Sequence, residues 1–320
     1  MAPMALQEKE SKMDELARVF YNAPHEIYLE KNIAFYFYLT GVSAASFIIS
    51  TLAYVFGVER FKAVGRIGAV VAPLVLTIAP IFLIIDLLQP MRFIHLFYMF
   101  NFRSPITWGT MLLTLYPINC LIYLFFIYKD NKAKIKTFGS IGIPLAIAVH
   151  GYTGFILALA KGIALWNTPL MPVYFLISAM VSGTALLIIL TVIKEKMFAN
   201  NALINRFFPK VETEVIWELG KLLAIFIAID LFVAFSDVLL LFYSTPENQI
   251  AANLLLVGPF KNMFLIMEVA LGMILPLIVL LIPRLNRNIA VLTIMSVLVL
   301  IGIWGMRYVT VVAGQYVPLM

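Results

Sequence analysis

Six ionisable residues interrupt long apolar stretches of this sequence, and their chemistry is proton exchange and hydrogen bonding. They are Asp86, His150, Asp230, Asp237, Glu268 and Arg307. Carboxyl and imidazole groups can take up and release protons, and Tyr152, close to His150, adds a phenol that can bind a polar ligand. A charged group inside a lipid bilayer is costly and marks a functional site by default, so the setting of these residues decides their meaning.

The composition indicates that helices in a lipid bilayer hold these residues. The chain is 62% hydrophobic and 12% charged, whereas soluble domains carry about 25% charged residues. Stretches of about 20 apolar residues can span a membrane, and only helices or closed barrels satisfy the backbone there. Eight such stretches are predicted, at 33–56, 67–88, 107–128, 138–160, 172–193, 219–242, 262–282 and 289–312. The predicted fold is therefore an all-α integral membrane protein with about eight transmembrane helices.

The remaining organisation follows from charge. Residues 1–31 are predicted to form a polar arm at the outer membrane surface, and residues 32–320 the transmembrane domain; the mixed charges of 8–18 do not fit a signal peptide. Eight spans put both termini on one side. Lysine and arginine concentrate in loops of the other side, such as 129–136 and 194–210. The positive-inside rule then predicts that both termini lie outside. The expected location is the cell inner (cytoplasmic) membrane.

The polar residues of the spans share a similar predicted depth in the membrane, which distinguishes them from ordinary interior residues. Nearly all of them fall in the half of the membrane nearest the termini. Asp86 and Arg307 could instead reach the membrane surface with their side chains, and His150 could be a core histidine bonded to a carbonyl. Asp230 and Glu268 are harder to explain structurally, because so deep a carboxylate needs a partner, water or a proton.

Some classes of cofactor and partner are excluded by counting. The single cysteine, Cys120, excludes an iron–sulfur cluster held by cysteines of this chain. Only one histidine lies within the apolar spans, so a haem with two histidine ligands is not expected. No basic cluster suited to nucleic acid appears.

Four stretches of the sequence resemble, in order and spacing, the membrane subunit of polysulfide reductase and its relatives, the NrfD/PsrC-like family. They are RSPITWG at 103–109, HGYTGF at 150–155, WNTPLMP at 166–172 followed by FLISA at 175–179 and SG at 182–183, and EVALG at 268–272 followed by Pro276. The resemblance covers most of the chain.

The resemblance implies an eight-helix anchor made of two four-helix bundles that binds menaquinone or another quinone near the outer face. Such an anchor would carry no catalytic centre, haem or iron–sulfur cluster of its own. It would pass electrons to an iron–sulfur subunit and a molybdopterin catalytic subunit on the outer face, for reduction of polysulfide or another sulfur compound. Asn32 and Tyr152 match residues that hydrogen-bond the quinone head. Where some relatives have a histidine one turn after the asparagine, this chain has Phe35, and His25 or His150 would take its place.

The polar residues predict the same function independently. A quinol loses two protons with its two electrons, and Asp86, Asp230, Asp237 and Glu268 are expected to lead these protons outward, with Arg307 as counter-charge. The alternative is a proton-coupled secondary transporter, which also uses kinked helices and buried carboxylates. A carrier needs polar access from both faces, however, and the inner half has few polar residues. A purely structural anchor is a third alternative that leaves the deep carboxylates unexplained.

Overall fold

The computed structural model describes residues 28–87 and 90–316, and in this part of the chain eight helices are long and apolar enough to span a membrane. They are α1 Lys31–Tyr54, α2 Lys62–Asp86, α3 Pro105–Tyr128, α4 Lys132–Ala158, α5 Met171–Met197, α6 Thr213–Phe242, α7 Asn262–Leu281 and α8 Ile289–Gly314. The predicted all-α membrane fold with eight spans is confirmed. Most of the predicted N-terminal arm, residues 1–27, lies outside the described residues.

Short helices fill the loops. They are the 3₁₀ helices Glu59–Phe61 and Pro90–Phe97 and the α-helices Ala202–Phe207, Pro246–Leu256 and Pro283–Asn286. The loop after α2 contains the short helix Pro90–Phe97, which buries none of its residues. An aromatic-rich segment of this kind suits the membrane–water interface.

Helix α4 begins before its apolar stretch does, because a local cap starts it. The Asn131 side chain accepts the Lys134 backbone N–H at 3.2 Å, and α4 therefore starts six residues before its predicted span at 138. The Asn288 side chain likewise accepts two backbone N–H groups at the start of α8. Hydropathy detects only the part of a helix that lies in lipid.

Helix α7 is irregular. Its first part, Asn262–Ile274, is a π-helix, and only Leu275–Leu281 is α-helical. Pro276 has no N–H to continue the α-helical hydrogen bonds into the preceding turn. Long π-helices are rare, and π-turns frequently occur at functional sites. Glu268 lies within this π-helix.

Helix α1 lies at the centre of the molecule. Its most apolar stretch is 78% buried, against 28% for α3, and it packs against α2, α4, α5 and α8. Small residues permit this approach: a side chain at Gly183 of α5 would collide with Ala45 of α1. The division into two four-helix bundles stays a prediction.

The two ends of the described chain meet. The Gln315 side chain accepts the backbone N–H groups of Tyr28 and Leu29 at 2.9 and 3.0 Å, and donates to the Leu29 carbonyl at 2.8 Å. Both ends therefore lie on one face, here called the terminal face. The loops α2–α3, α4–α5 and α6–α7 share this face, and the other loops lie on the opposite face.

Candidate functional site

An open cavity of about 570 Å³ lies between α3 and α4, near the terminal face. Its walls are formed by Arg103, Pro105, Trp108, Ala148, Gly151, Tyr152, Phe155 and Leu159. Trp108 and Phe155 are 51% and 48% exposed, so in a bilayer the cavity opens sideways to lipid. A ligand here would meet aromatic surfaces together with one guanidinium and one phenol. We call this the Tyr152 cavity.

The Tyr152 ring is held against the backbone of α3. A Cβ placed on Gly109 would overlap the Tyr152 phenol, so the position tolerates only glycine while the ring stays where it is. Gly109 and Tyr152 come from two of the sequence motifs that carry the family resemblance. The two motifs therefore meet in space, and their contact fixes the phenol in the cavity wall.

Asn32 and Asp86 form a pair at the terminal face, with Asn32 Nδ2 donating to Asp86 Oδ1 at 3.4 Å. Helix α1 begins at Lys31, so Asn32 lies in its first turn. Neither Asn32 nor Asp86 lines the Tyr152 cavity.

His150 is fully buried in a network that joins three helices. Its Nε2 lies 2.8 Å from the Phe175 carbonyl oxygen of α5 and 3.2 Å from Arg307 Nη2 of α8. Arg307 Nη2 also donates to the Phe175 carbonyl at 3.0 Å and to Ser178 Oγ at 2.7 Å. Gly41 of α1 makes room for the imidazole, since a Cβ there would lie 2.8 Å from His150 Cε1.

This network is separate from the Tyr152 cavity. Two positions apart on an α-helix corresponds to about 200° of rotation. Tyr152 therefore faces the cavity at α3 while His150 faces α5 and α8. Of the four predicted quinone ligands, only Tyr152 lines the cavity; Asn32 and His150 do not, and His25 lies outside the described residues.

The predicted carboxylates of α6 and α7 are buried, and they differ in their partners. Glu268 is 1% exposed, and its Oε1 accepts the Tyr174 hydroxyl at 2.6 Å. Asp237 is 8% exposed, with Oδ1 unpaired among the described residues. Asp230 is 0% exposed, and neither of its oxygens has a hydrogen-bond partner in that same part of the sequence.

Arg307 makes no direct ion pair with these carboxylates. Within residues 28–87 and 90–316, the ion pairs are Arg60–Glu218, Lys62–Glu59 and Lys194–Glu195, all toward the opposite face. The expected counter-charge role is therefore not met at contact distance.

Depth along the helices agrees with the sequence prediction. Asp237 lies five residues from the end of α6 and Arg307 seven from the end of α8, about 8 and 11 Å below the terminal face. Asp230 is twelve residues from the same end of α6, about 18 Å deep and close to the membrane centre. The sequence missed Tyr174, although its place near the start of α5 puts it level with Glu268. Among the described residues, no group of three or more His, Cys, Asp or Glu side chains is arranged to hold a metal ion.

These features define a multi-pass helical membrane protein with a lateral amphipathic cavity and a buried group of acids near one face. Comparison with known protein families places it more closely. Residues 22–318 match the family described as polysulphide reductase, NrfD. The chain belongs to this family, as the motifs predicted.

Three relatives illustrate its range. A selenate reductase subunit of Mesobacillus selenatarsenatis is 27% identical over 89% of this chain and 74% of its own length. A polysulfide reductase subunit of Wolinella succinogenes is 29% identical, over 88% of this chain and 93% of its own length. The Hdr-like menaquinol oxidoreductase integral membrane subunit of Archaeoglobus fulgidus is 29% identical over 47% of this chain and 38% of its own length. The relatives are thus named as parts of several different oxidoreductases.

Proposed function

We propose that this chain is the membrane subunit of a respiratory oxidoreductase that oxidises a quinol, with menaquinol as the favoured substrate, and passes the electrons to an iron–sulfur subunit. The observation that carries the proposal is the Tyr152 cavity. Family membership supports the same function, and one relative is named a menaquinol oxidoreductase subunit. The terminal acceptor is proposed to be a sulfur compound, since another relative is named as part of a polysulfide reductase.

The cavity suits a quinol in size and chemistry. Its volume of about 570 Å³ lies within the usual range for small-molecule sites, about 300–1,000 Å³. Trp108 and Phe155 offer flat apolar surfaces for a quinone ring, and the lateral opening leaves an isoprenoid tail in lipid. The Tyr152 hydroxyl and the Arg103 guanidinium supply hydrogen bonds to the two ring oxygens.

The other predicted quinone ligands keep indirect roles in this proposal. Asn32 pairs with Asp86 at the terminal face and lies on α1, which packs against α4. His150 fixes α4 against α5 and α8, and so positions Tyr152 two residues later. His25 stays a proposed ligand from the resemblance alone.

Oxidation releases two protons and two electrons from each quinol. The electrons leave to the docked partner, and a molybdopterin subunit would complete the complex. The protons pass by way of Asp86, Asp230, Asp237 and Glu268, whose depth favours release at the terminal face. Arg307, always protonated, does not carry a proton itself and holds the local charge balance.

The same proposal fixes an orientation. The basic loops of the opposite face, among them 129–136, would lie in the cytoplasm, and the terminal face with both ends of the chain would lie outside, where the partners dock. Reporter fusions after Lys134 and at the C-terminus measure this. Activity of a cytoplasmic reporter at the C-terminus would reverse the orientation.

Tryptophan fluorescence tests the cavity without any partner subunit. A water-soluble naphthoquinone added to the purified chain in detergent should quench Trp108, which lines the cavity, and Trp108→Phe should remove that component of the quenching. Tyr152→Phe should weaken binding several-fold to tenfold, because one hydrogen bond contributes about 0.5–1.5 kcal/mol. Quenching that survives Trp108→Phe unchanged, or an affinity unaffected by Tyr152→Phe, would put the ligand elsewhere.

A further inference from the structure

Asp237 separates two cavities of very different size. The larger is open, about 650 Å³, and lies at the terminal face between the end of α6 and the loop before α5; Asn167, Thr168, Ser244 and Asn248 contribute to its polar wall. The smaller is internal, about 20 Å³, and reaches Glu268 and Tyr174. Asp237 lines both. One carboxyl group therefore faces the outside on one side and the protein interior on the other.

The small cavity has the size and polarity to hold one water molecule. A cavity holds a water when its volume exceeds about 10–15 Å³ and when two to four polar groups surround it. Here the polar groups are Asp237, Glu268, Tyr174 and Thr310. Asp237 Oδ1 has no other partner among the described residues, and the residue is only 8% exposed.

Glu268 is suited to hold the proton that such a water would carry. It is 1% exposed and has no ion-pair partner in the described residues. A carboxyl group buried in this way is neutral unless a cation or water compensates its charge. The Tyr174 hydroxyl fixes its Oε1 at 2.6 Å and so keeps the acid turned toward the small cavity.

We propose that a single water molecule held between Glu268 and Asp237 relays protons from the protein interior to the open cavity, with Tyr174 as the residue that positions Glu268. In each transfer an O–H bond of the Glu268 acid breaks as its proton passes to the water. The water gives another proton to the Asp237 carboxylate, where the new O–H bond forms. The water is unchanged, no electrons move, and Asp237 then releases its proton into the open cavity. The inference rests on the proposed function, in which quinol supplies the protons.

The test follows hydrogen–deuterium exchange of the Glu268 carboxylic acid by infrared spectroscopy on the full chain in lipid. Glu268→Gln identifies the band. Asp237→Asn removes the proton acceptor and should slow exchange of that band about tenfold or more. Ala234→Val fills the small cavity and leaves every polar group in place, and it should slow exchange to a similar extent. Tyr174→Phe should shift the frequency of the band, because the acid loses its hydrogen bond.

The matched control is Ala224→Val. Ala224 and Ala234 lie on the same helix and are both 4% exposed, but only Ala234 lines the cavity. Exchange in Ala224→Val should equal that of the unmodified chain. The relay is refuted if Glu268→Gln removes no carboxylic acid band, if neither Asp237→Asn nor Ala234→Val slows exchange, or if Ala224→Val slows it equally. The measurement needs no quinol and no partner, so a negative result would not contradict quinol oxidation. Unchanged naphthoquinone quenching in Trp108→Phe would contradict quinol binding at the cavity, but it would not contradict proton transfer between Glu268 and Asp237.

Discussion

The Tyr152 cavity and the acids of α6 and α7 differ in the surroundings of their polar groups. In the cavity, a phenol and a guanidinium line an open space between exposed aromatic side chains. Asp230, Asp237 and Glu268 lie instead inside the protein. Glu268 accepts a hydrogen bond from Tyr174, whereas both oxygens of Asp230 and Oδ1 of Asp237 have no partner within the described residues. The first arrangement suits a ligand that enters from lipid. The second suits protons, which need no space beyond that of a water molecule.

Arg307 of α8 connects three helices, because it donates hydrogen bonds to α5 and contacts His150 of α4. Arg307→Met should have the largest effect, because buried hydrogen bonds from a charged donor contribute about 1.5–3 kcal/mol each and two would be lost. We expect a marked loss of folded protein in detergent, measured by thermal unfolding. Arg60→Met, which breaks an exposed ion pair, should cost at most about 1 kcal/mol. Equal stability of the two variants would show that the Arg307 contacts do not hold α4, α5 and α8 together.

Partnered and unpartnered acids should respond with opposite signs. Asp230→Val should raise the free energy of unfolding by about 1–3 kcal/mol, because it removes a buried polar group that has no hydrogen-bond partner in the described residues. Tyr174→Phe should lower it by about 1–3 kcal/mol, because it takes away the partner of the buried Glu268. Chemical denaturation of the chain in mixed micelles measures both. A destabilised Asp230→Val would mean that this acid has a hydrogen-bond partner in the membrane and is not an unpaired buried group.

Glycine substitutions sharpen the cavity side of the comparison. Gly109→Ala should displace the Tyr152 phenol and weaken naphthoquinone binding several-fold, by about 0.5–1.5 kcal/mol. Gly305→Ala is the matched control, since Gly305 lies on α8 and does not line the cavity, and a Cβ there would meet only the flexible Met267 side chain at 3.3 Å. Both changes give a helix the same gain in intrinsic propensity. Equal affinities for the two variants would show that the position of the phenol does not matter for binding.

The smallest effect is expected at Asn32. Its bond to Asp86 is long, 3.4 Å, and Asn32 does not line the cavity. Asn32→Ala should therefore change naphthoquinone affinity by about twofold, near the lower limit for one hydrogen bond. Lys31→Ala, at the adjacent exposed position, serves as the control. A tenfold loss in Asn32→Ala alone would make Asn32 a direct ligand and extend the site to α1.

The sequence predicted the positions of residues along the helix axes well, and the contacts between helices poorly. Eight spans and the depth of residues such as Asp230 follow from hydropathy and from the fixed rise of a helix. Which helix faces meet does not follow, because apolar side chains fit lipid and protein alike. Arg307 was accordingly expected beside the carboxylates, whereas its contacts are His150, Ser178 and the Phe175 carbonyl, up to 157 residues away in the sequence.

The candidate site shows the same division. The cavity brings together residues from two sequence motifs, so its membership was partly visible in advance, with Arg103, Trp108 and Tyr152 all quoted in those motifs. The link from Tyr174 to Glu268 was not visible, because it depends on the rotation of one helix against another. No hydropathy pattern distinguishes a π-helix from an α-helix in so apolar a segment.

The π-helix of α7 has a consequence for the changes of length that this chain can tolerate. A π-turn holds one residue more than an α-turn, so it absorbs a one-residue insertion without breaking the helix. Loss of a single codon between Asn262 and Glu268 would rotate the acid by about 100° about the helix axis and carry it away from Tyr174, with the rest of the span left as it is. The length of this segment therefore determines the orientation of the acid, and an insertion or deletion can change that orientation without any substitution.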